Sequence, residues 1–375
     1  MNNARICHLT VLNSVLHSRI FFKQAISQQK AGYQVFVIGC SAKQETYYQQ
    51  EIQVFSLPFI NRTSWKRFFR PWQVVWKARN LKTNLYVLHT PELILPAILL
   101  LPLSQIVYDI HEDYLQNILS ENTYPKWIRK PLAILVRSLE YFFTQRIAGI
   151  TVAEKIFYPI FFPKNKQIVI IENKCILPNQ LEKKHKPLVN RHINFVLTGN
   201  LSETWGLFSA IHLFKQIVAV EEAFLTIAGF CPHSSDYENA VLLIQNLGLK
   251  DQVKWIGGLT PVPYPEIMQQ IAIADAGFAL YSPKPNIITR TPTKFFEYLA
   301  TQTPLIFTDV QSWNFFSAEN HLGFNTTELI SFLERKILRE KLQLFYKQSA
   351  ENKEVWSWEY EQKKLIDFYS NILGQ

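Results

Sequence analysis

The stretch Arg290-Thr291-Pro292-Thr293-Lys294-Phe295-Phe296-Glu297 gathers the residue types needed to grip a phosphate and a diol along one helix. Thr291 suits an N-cap and Pro292 a first helical position. The sequence therefore predicts a helix whose free backbone N–H groups and positive dipole end attract an anion. Arg290 and Lys294 stand beside that end and can pair with phosphate oxygens, with Thr291 and Thr293 at the same end. Glu297, one turn further in, can accept two hydroxyls of a ribose or another sugar. The plain alternative is a solvated helix start with a Lys and a Glu at i and i+3.

A second group of candidates lies in the first half of the chain. His111 stands in Asp109-Ile110-His111-Glu112-Asp113, where acidic neighbours admit a metal ligand or a structural hydrogen bond. Strand alternation sends adjacent side chains to opposite faces, which argues against a metal, and none is expected. His89 and Glu92 follow another strand end, and His17 and Arg19 follow the first strand. All of these, with Glu112, are candidates for the acceptor side of a site.

Alternating elements must position these residues. Arg5 to Thr10 reads as a strand, Arg19 to Ala31 as a helix capped by Gly32, and Gln34 to Gly39 as the next strand. Similar runs recur at 51–58, 84–88, 105–109, 146–152 and 167–171, which predicts a parallel sheet covered on both faces. The segment 181–192 is basic and proline-containing and reads as a linker between a first domain over 1–180 and a second over 193–350. The alternation then restarts, with strands at 193–198, 224–228, 253–256, 276–280 and 304–308. Helices are expected at 207–218, 237–247, 264–274 and 293–301. The fold class is thus α/β: two doubly wound, Rossmann-like sheets facing a cleft, where open α/β sheets bind ligands. The stretch 331–369 has a nearly continuous helical pattern, and the terminal segment 351–375 is expected to pack back on the first domain.

Composition sets outer limits. The 375 residues are 48% hydrophobic and 18% charged, a globular balance that excludes disordered and fibrous classes. Cys7, Cys40, Cys175 and Cys231 show no metal-knuckle spacing and read as reduced, buried thiols. Residues 93–103 form the longest apolar run, but Pro96 and Pro102 break it well short of a membrane span. The N-terminus lacks a signal-peptide core, so a cytoplasmic place is expected. The net charge of +9 has a home in 65–79 and 124–130, where Trp, Phe, Lys and Arg interleave. That mixture suits an anionic membrane surface, which implies a peripheral place at the inner face of the plasma membrane. Alternatively, Trp72 and Trp76 form one buried helix face. A nucleic-acid partner is not expected, because no recognition module is present.

The text Lys294-Phe295-Phe296-Glu297-Tyr298-Leu299-Ala300-Thr301-Gln302-Thr303-Pro304-Leu305-Ile306 resembles glycosyltransferase family 4 and its GT-B relatives. Residues 273–280, 253–257 and 195–199 are similar to further segments of the same family. In the first half 17–23, 89–93 and 108–114 resemble a bacterial branch of it. The resemblance spans roughly the whole chain and is most specific in its last third. It implies a GT-B enzyme that moves a sugar from a nucleoside diphosphate sugar to a saccharide or lipid-linked acceptor. Retention at the anomeric carbon, a role in bacterial cell-surface polysaccharide or glycoconjugate synthesis, and independence of cofactors are also implied. On the family pattern Glu297 binds the donor ribose, Gly199 and Asn200 open the donor loop, and His111 stands near the reacting carbon.

Three positions depart from that pattern. Thr289 replaces the first of two glutamates spaced by seven, and Asn200 and Trp205 replace the Arg and Lys that grip the diphosphate. Arg290 and Lys294 are the natural replacements for that charge. The departures also leave open a catalytically degenerate binding or scaffolding subunit. An epimerase acting on the nucleotide sugar is a further alternative.

Overall fold

In a computed structural model the described residues are 4–60, 64–120, 124–161, 167–178, 181, 192–348 and 354–374. The expected linker 181–192 lies outside them except for Leu181 and His192. The chain divides into two compact units, one of Met1–Asn173 with Trp358–Gln375, the other of Lys174–Ser357. Each is an α/β unit built on its own sheet.

The first sheet has eight strands: β1 (Arg5–Ser14), β2 (Gln34–Ser41), β3 (Thr46–Gln49), β4 (Ile52–Pro58), β5 (Leu85–Leu88), β6 (Gln105–Ile110), β7 (Gly149–Val152) and β8 (Gln167–Ile170). Their order is β3-β4-β2-β1-β5-β6-β7-β8, and every pair is parallel except β3 with β4. The order reverses between β1 and β5, which opens a crevice beyond their C-terminal ends. Period-2 alternation gives the sheet two unlike faces. One presents Cys7, Leu9, Ile38, Tyr86, Leu88 and Tyr108 to a single apolar core. The other carries buried polar residues, His8, Thr10, Asp109 and Thr151.

The expected helix at 19–31 is in two pieces. A wide π-helix runs over Ser18–Ala25 and an α-helix over Ile26–Lys30. The π-helix buries Arg19, Lys23 and Gln24, and partners inside the unit explain why these polar residues can lie inward. The terminal helix Trp358–Leu373 packs in the same unit, where Trp358 Nε1 donates to Ser27 Oγ at 2.9 Å.

The second sheet is wholly parallel. Its strands are β9 (Ile193–Asn200), β10 (Ala223–Phe230), β11 (Val253–Gly258), β12 (Ala276–Ala279), β13 (Leu305–Phe307) and β14 (Gly323–Asn325), in the order β11-β10-β9-β12-β13-β14. The reversal here falls between β9 and β12. Helices Leu207–Val218 and Thr293–Thr301 belong to the two cores of this unit. The expected long helix at 331–369 is broken into Thr326–Glu334, Leu338–Gln348 and Trp358–Leu373. The first break comes at Lys336, whose φ of +57° cannot continue a helix. Among the described residues, no helix is long and apolar enough to cross a membrane.

Candidate functional site

At the β9/β12 reversal the chain bends sharply. Gly199 has a φ of +89°, and a side chain there would meet the end of Lys294, whose Nζ lies 3.2 Å from an ideal Cβ. Seven residues on, Gly206 has a φ of +82°, and an added Cβ would lie 2.2 Å from the carbonyl oxygen of Leu280. The loop from β9 to helix Leu207–Val218 is thus pressed onto the end of β12, where only glycine fits. Asn200 and Trp205 are exposed on this loop, and Trp205 meets Tyr281 edge-on at 5.1 Å.

Helix Thr293–Thr301 approaches the same strand end. It starts later than its sequence suggests: the N-cap is Pro292, with no side-chain hydrogen bond at the cap, and Thr291 stands before it. Proline at that place serves because its own N–H is not needed, so the cap is geometric rather than hydrogen-bonded. Lys294 Nζ donates to Thr198 Oγ1 at 3.2 Å, which fixes the ammonium beside the Gly199 bend. Burial, opposed by the charge of Glu297, brings the Lys294 ammonium down to about 8. Glu297 is 7% exposed. Burial, and after it the nearby Glu297 carboxylate, pushes the Tyr264 hydroxyl well above its usual range. Tyr264, which the sequence did not single out, therefore stays neutral beside Glu297. Its signal was only an aromatic residue at a helix start, as common in cores as in sites.

Arg290 is fixed through its backbone, its carbonyl accepting from Trp313 Nε1 at 2.8 Å. Thr289 is exposed and its hydroxyl donates to the carbonyl of Pro285 at 3.2 Å, so no carboxylate stands there. Thr291 and Thr293 are half-buried at the helix start.

The first unit holds a second polar cluster, centred on Asp109. This carboxylate is wholly buried and takes Arg19 as a fork, Nη2 to Oδ1 at 2.7 Å and Nε to Oδ2 at 3.0 Å. Thr151 donates to Oδ1 at 2.7 Å and Gln24 to Oδ2 at 2.6 Å. His111 Nε2 and His89 Nδ1 reach Oδ2 at 2.7 and 3.1 Å. Burial alone would raise this carboxyl, but Arg19 and the two histidines overcome it and hold it well below the usual range. The row continues from His89 Nε2 to His8 Nδ1 at 2.8 Å and from His8 Nε2 to the Gln28 amide at 2.6 Å. The proton order follows from the one fixed acceptor at its end: Gln28 Oε1 accepts from His8 Nε2, His8 Nδ1 accepts from His89 Nε2, and His111 Nε2 donates to Asp109.

Sequence reasoning missed Asp109, although it is two residues from His111 and so on the same side of the extended chain. Alternation was expected to scatter the acids around His111, and two of the three do turn elsewhere: Glu112 accepts from Asn117 and Asp113 pairs with Arg137. His17 stacks on His111 at 5.8 Å between ring centres. Glu92 is turned to Arg67 and stands apart from this group. Arg19 and His89 lie beneath the surface, 2% and 0% exposed, and hold Asp109 in place. His89, Asp109 and His111 offer ligand atoms within 4.8 Å of one another. Arg19 already neutralises this carboxylate and its oxygens are engaged by five side chains, a set made for hydrogen bonding more than for a cation.

The histidines carry a pH consequence. Burial brings His8 and His17 down to about 4 from the ordinary 6.5. Both are neutral in the folded chain, whereas the unfolded chain protonates them below about pH 6.5. Stability is therefore full above 6.5, falls as the pH drops toward 4, and levels off below that as far as these groups decide it. His8 alone contributes on the order of 3 kcal/mol to this fall. Urea unfolding at a series of pH values measures it, and His8→Asn is expected to flatten the slope.

The two doubly wound units together have the fold of GT-B glycosyltransferase structures. Sucrose-phosphate synthase from Thermosynechococcus elongatus matches with a TM-score of 0.70 at 14% identity, over 99% of this chain and 100% of that one. A glycosyltransferase from Rickettsia africae matches at 0.67 and 13%, over 100% and 99%. The catalytic domain of starch synthase IV from Arabidopsis thaliana, bound to ADP and acarbose, matches at 0.62 and 10%, over 100% of both chains. Residues 179–324, which contain the Gly199 bend, Lys294 and Glu297, match the family model of glycosyl transferases group 1. No curated protein matches the chain.

Proposed function

We propose that the chain is a glycosyltransferase that moves a sugar from a nucleoside diphosphate sugar to a hydroxyl of a saccharide or lipid-linked acceptor. The observation that carries this reading is the place of Lys294. Its ammonium is held by Thr198 beside the Gly199 bend, one turn from the buried carboxylate of Glu297. A diphosphate at the helix start meets a fixed positive charge, and a ribose one turn on meets an acceptor for its hydroxyls. Both lie in the segment that matches the group 1 family model. The starch synthase whose fold this chain shares was solved with ADP, and a trehalose-6-phosphate protein of Escherichia coli with UDP-2-fluoro glucose. We carry that ligand class, and no particular base or sugar, to this chain.

In this reading Lys294, Arg290 and the end of helix Thr293–Thr301 stabilise the departing diphosphate, so catalysis is mostly positioning and electrostatics. His111, backed by Asp109, stands on the acceptor side, with His17 against it. Retention, the family 4 branch, and a role in bacterial cell-surface polysaccharide or glycoconjugate synthesis at the inner face of the plasma membrane belong to this proposal. No bound metal is required by it.

Thermal unfolding in the presence of uridine, guanosine, adenosine and thymidine diphosphate sugars tests the reading. At 100 times its dissociation constant a donor is expected to stabilise the protein by roughly 2.7 kcal/mol. A rise with none of them favours the degenerate subunit suggested by Thr289, Asn200 and Trp205. Conversion of the donor without an acceptor favours the epimerase.

A further inference from the structure

The apolar face of the first sheet is covered by helices Arg70–Arg79, Ile94–Ala97 and Lys126–Thr144. Their inward residues Val74, Val75, Ile94, Ala97 and Phe143 join one core with the strands. What they turn outward is unusual. On the first helix Trp72 and Trp76 are 43% and 58% exposed, while Val74, Val75 and Ala78 are its buried face. The two tryptophans are therefore not core, and the alternative of a buried Trp72/Trp76 face is excluded. The short helix before it, Trp65–Phe68, buries nothing, and its Trp65 and Phe68 are 68% and 78% exposed. Leu95 on the second helix, Ile98 just past its end, and Trp127, Ile134, Leu135 and Phe142 on the third are also exposed.

These segments adjoin. The helix Ile94–Ala97 packs on both of the longer helices. Arg67 Nη1 donates to Tyr124 Oη at 2.8 Å, which ties the Trp65–Phe68 turn to the start of the third helix. A cavity of about 410 Å³ opens at the far end, between Tyr141, Phe142, Ile160 and Phe161. The second unit differs: among its described residues, large exposed apolar side chains stand singly, one to an element, as on an ordinary surface.

Charge chooses the occupant. The stretches 64–79 and 124–139 hold nine Lys and Arg residues and no acid, and Lys66, Arg79, Lys126 and Lys130 are exposed. A second copy would set this positive face against itself. Nucleic acid would answer the charge but has no use for exposed Ile98, Ile134 and Leu135. Tryptophan bodies with Lys and Arg heads and aliphatic side chains between them fit the headgroup and upper acyl layer of a bilayer. We propose that this three-helix face binds an anionic lipid surface, lying in the interface without spanning it. The inference does not depend on the proposed reaction, although a lipid-linked acceptor would then be drawn from that same surface.

Co-sedimentation with phosphatidylcholine vesicles, with and without phosphatidylglycerol, tests it. Binding is expected to the anionic vesicles, to weaken in high salt, and to shift tryptophan emission to the blue. Trp72→Glu with Trp76→Glu is expected to reduce binding at least tenfold, whereas Phe315→Glu, on the second unit, leaves it unchanged. Lys126→Ser and Lys130→Ser are expected to reduce binding about fivefold each, on anionic vesicles only. All these side chains are exposed, so circular dichroism and thermal midpoints are expected to match the parent. Failure of the parent protein to sediment with anionic vesicles overturns the proposal, as does undiminished binding by the Trp72→Glu/Trp76→Glu variant. So does a lipid-free dimer in sedimentation velocity that this variant dissolves, which assigns the face to a second copy. Donor-induced thermal stabilisation is expected to be the same in every variant, so it reports on the proposed reaction separately.

Discussion

Asp109→Ala is expected to destabilise the first unit by about 3–5 kcal/mol, because it leaves Arg19 as a charge without a partner in a site 2% exposed to solvent. The energy lost is mostly the cost of the stranded guanidinium. Replacing both partners, Arg19→Met with Asp109→Leu, is accordingly expected to recover a large part of the loss. Native-state hydrogen exchange localises the effect, with the largest loss of protection in β1 and β6, which carry the row of buried polar residues. A loss below about 1 kcal/mol would mean that the network is a solvated cluster and not a pillar of the fold. The variant bears on function too. His111 leans on Asp109 at 2.7 Å, so even Asp109→Asn, which keeps the shape, is expected to loosen its ring.

Lys294→Ala is expected to lower turnover about 100- to 1,000-fold, the range for removing one fixed stabiliser of developing charge. Donor affinity is expected to fall less, because the charge on the diphosphate grows as it leaves. A pH signature accompanies this. With its ammonium held down to about 8, free Lys294 loses its charge as the pH rises through that value. kcat/KM is therefore expected to decline above pH 8, and Lys294→Arg, whose charge persists, to remove the decline whatever its own level of activity. Steady-state kinetics with an identified donor supply both readouts. Equal losses of turnover and affinity would assign Lys294 to ground-state binding.

The parallel architecture could be read from the chain because its signals are local. Apolar runs such as Ile193–Thr198 and Ala276–Leu280 sit between amphipathic stretches, and that alternation admits few topologies. Elements whose causes are distant were missed. The edge strand Thr46–Gln49 is half exposed and pairs antiparallel with β4, so it carries no strong pattern of its own. The π-helix Ser18–Ala25 arises where Arg19 and Gln24 turn to Asp109, 90 and 85 residues on in sequence, a fact no window over 19–31 contains.

The candidate site divides in the same way. Lys294 and Glu297 were visible because their spacing on a helix is a property of the helix. Tyr264 and Thr198 were not, since they reach those residues from other elements of the second unit. The basic, aromatic stretch 65–79 was visible as composition, but only the structure could decide that Trp72 and Trp76 lie outside and Val74, Val75 and Ala78 inside.

Calorimetric titration of the best-binding nucleotide sugar into the parent chain, Glu297→Ala and Lys294→Ala asks whether helix Thr293–Thr301 holds the donor. Diphosphate-dependent binding is expected in the parent, with a loss of about tenfold or more in Glu297→Ala, where a carboxylate leaves the ribose hydroxyls, and a smaller loss in Lys294→Ala. Undiminished affinity in both variants, with the donor bound by the parent, would contradict this expectation and move the donor away from helix Thr293–Thr301.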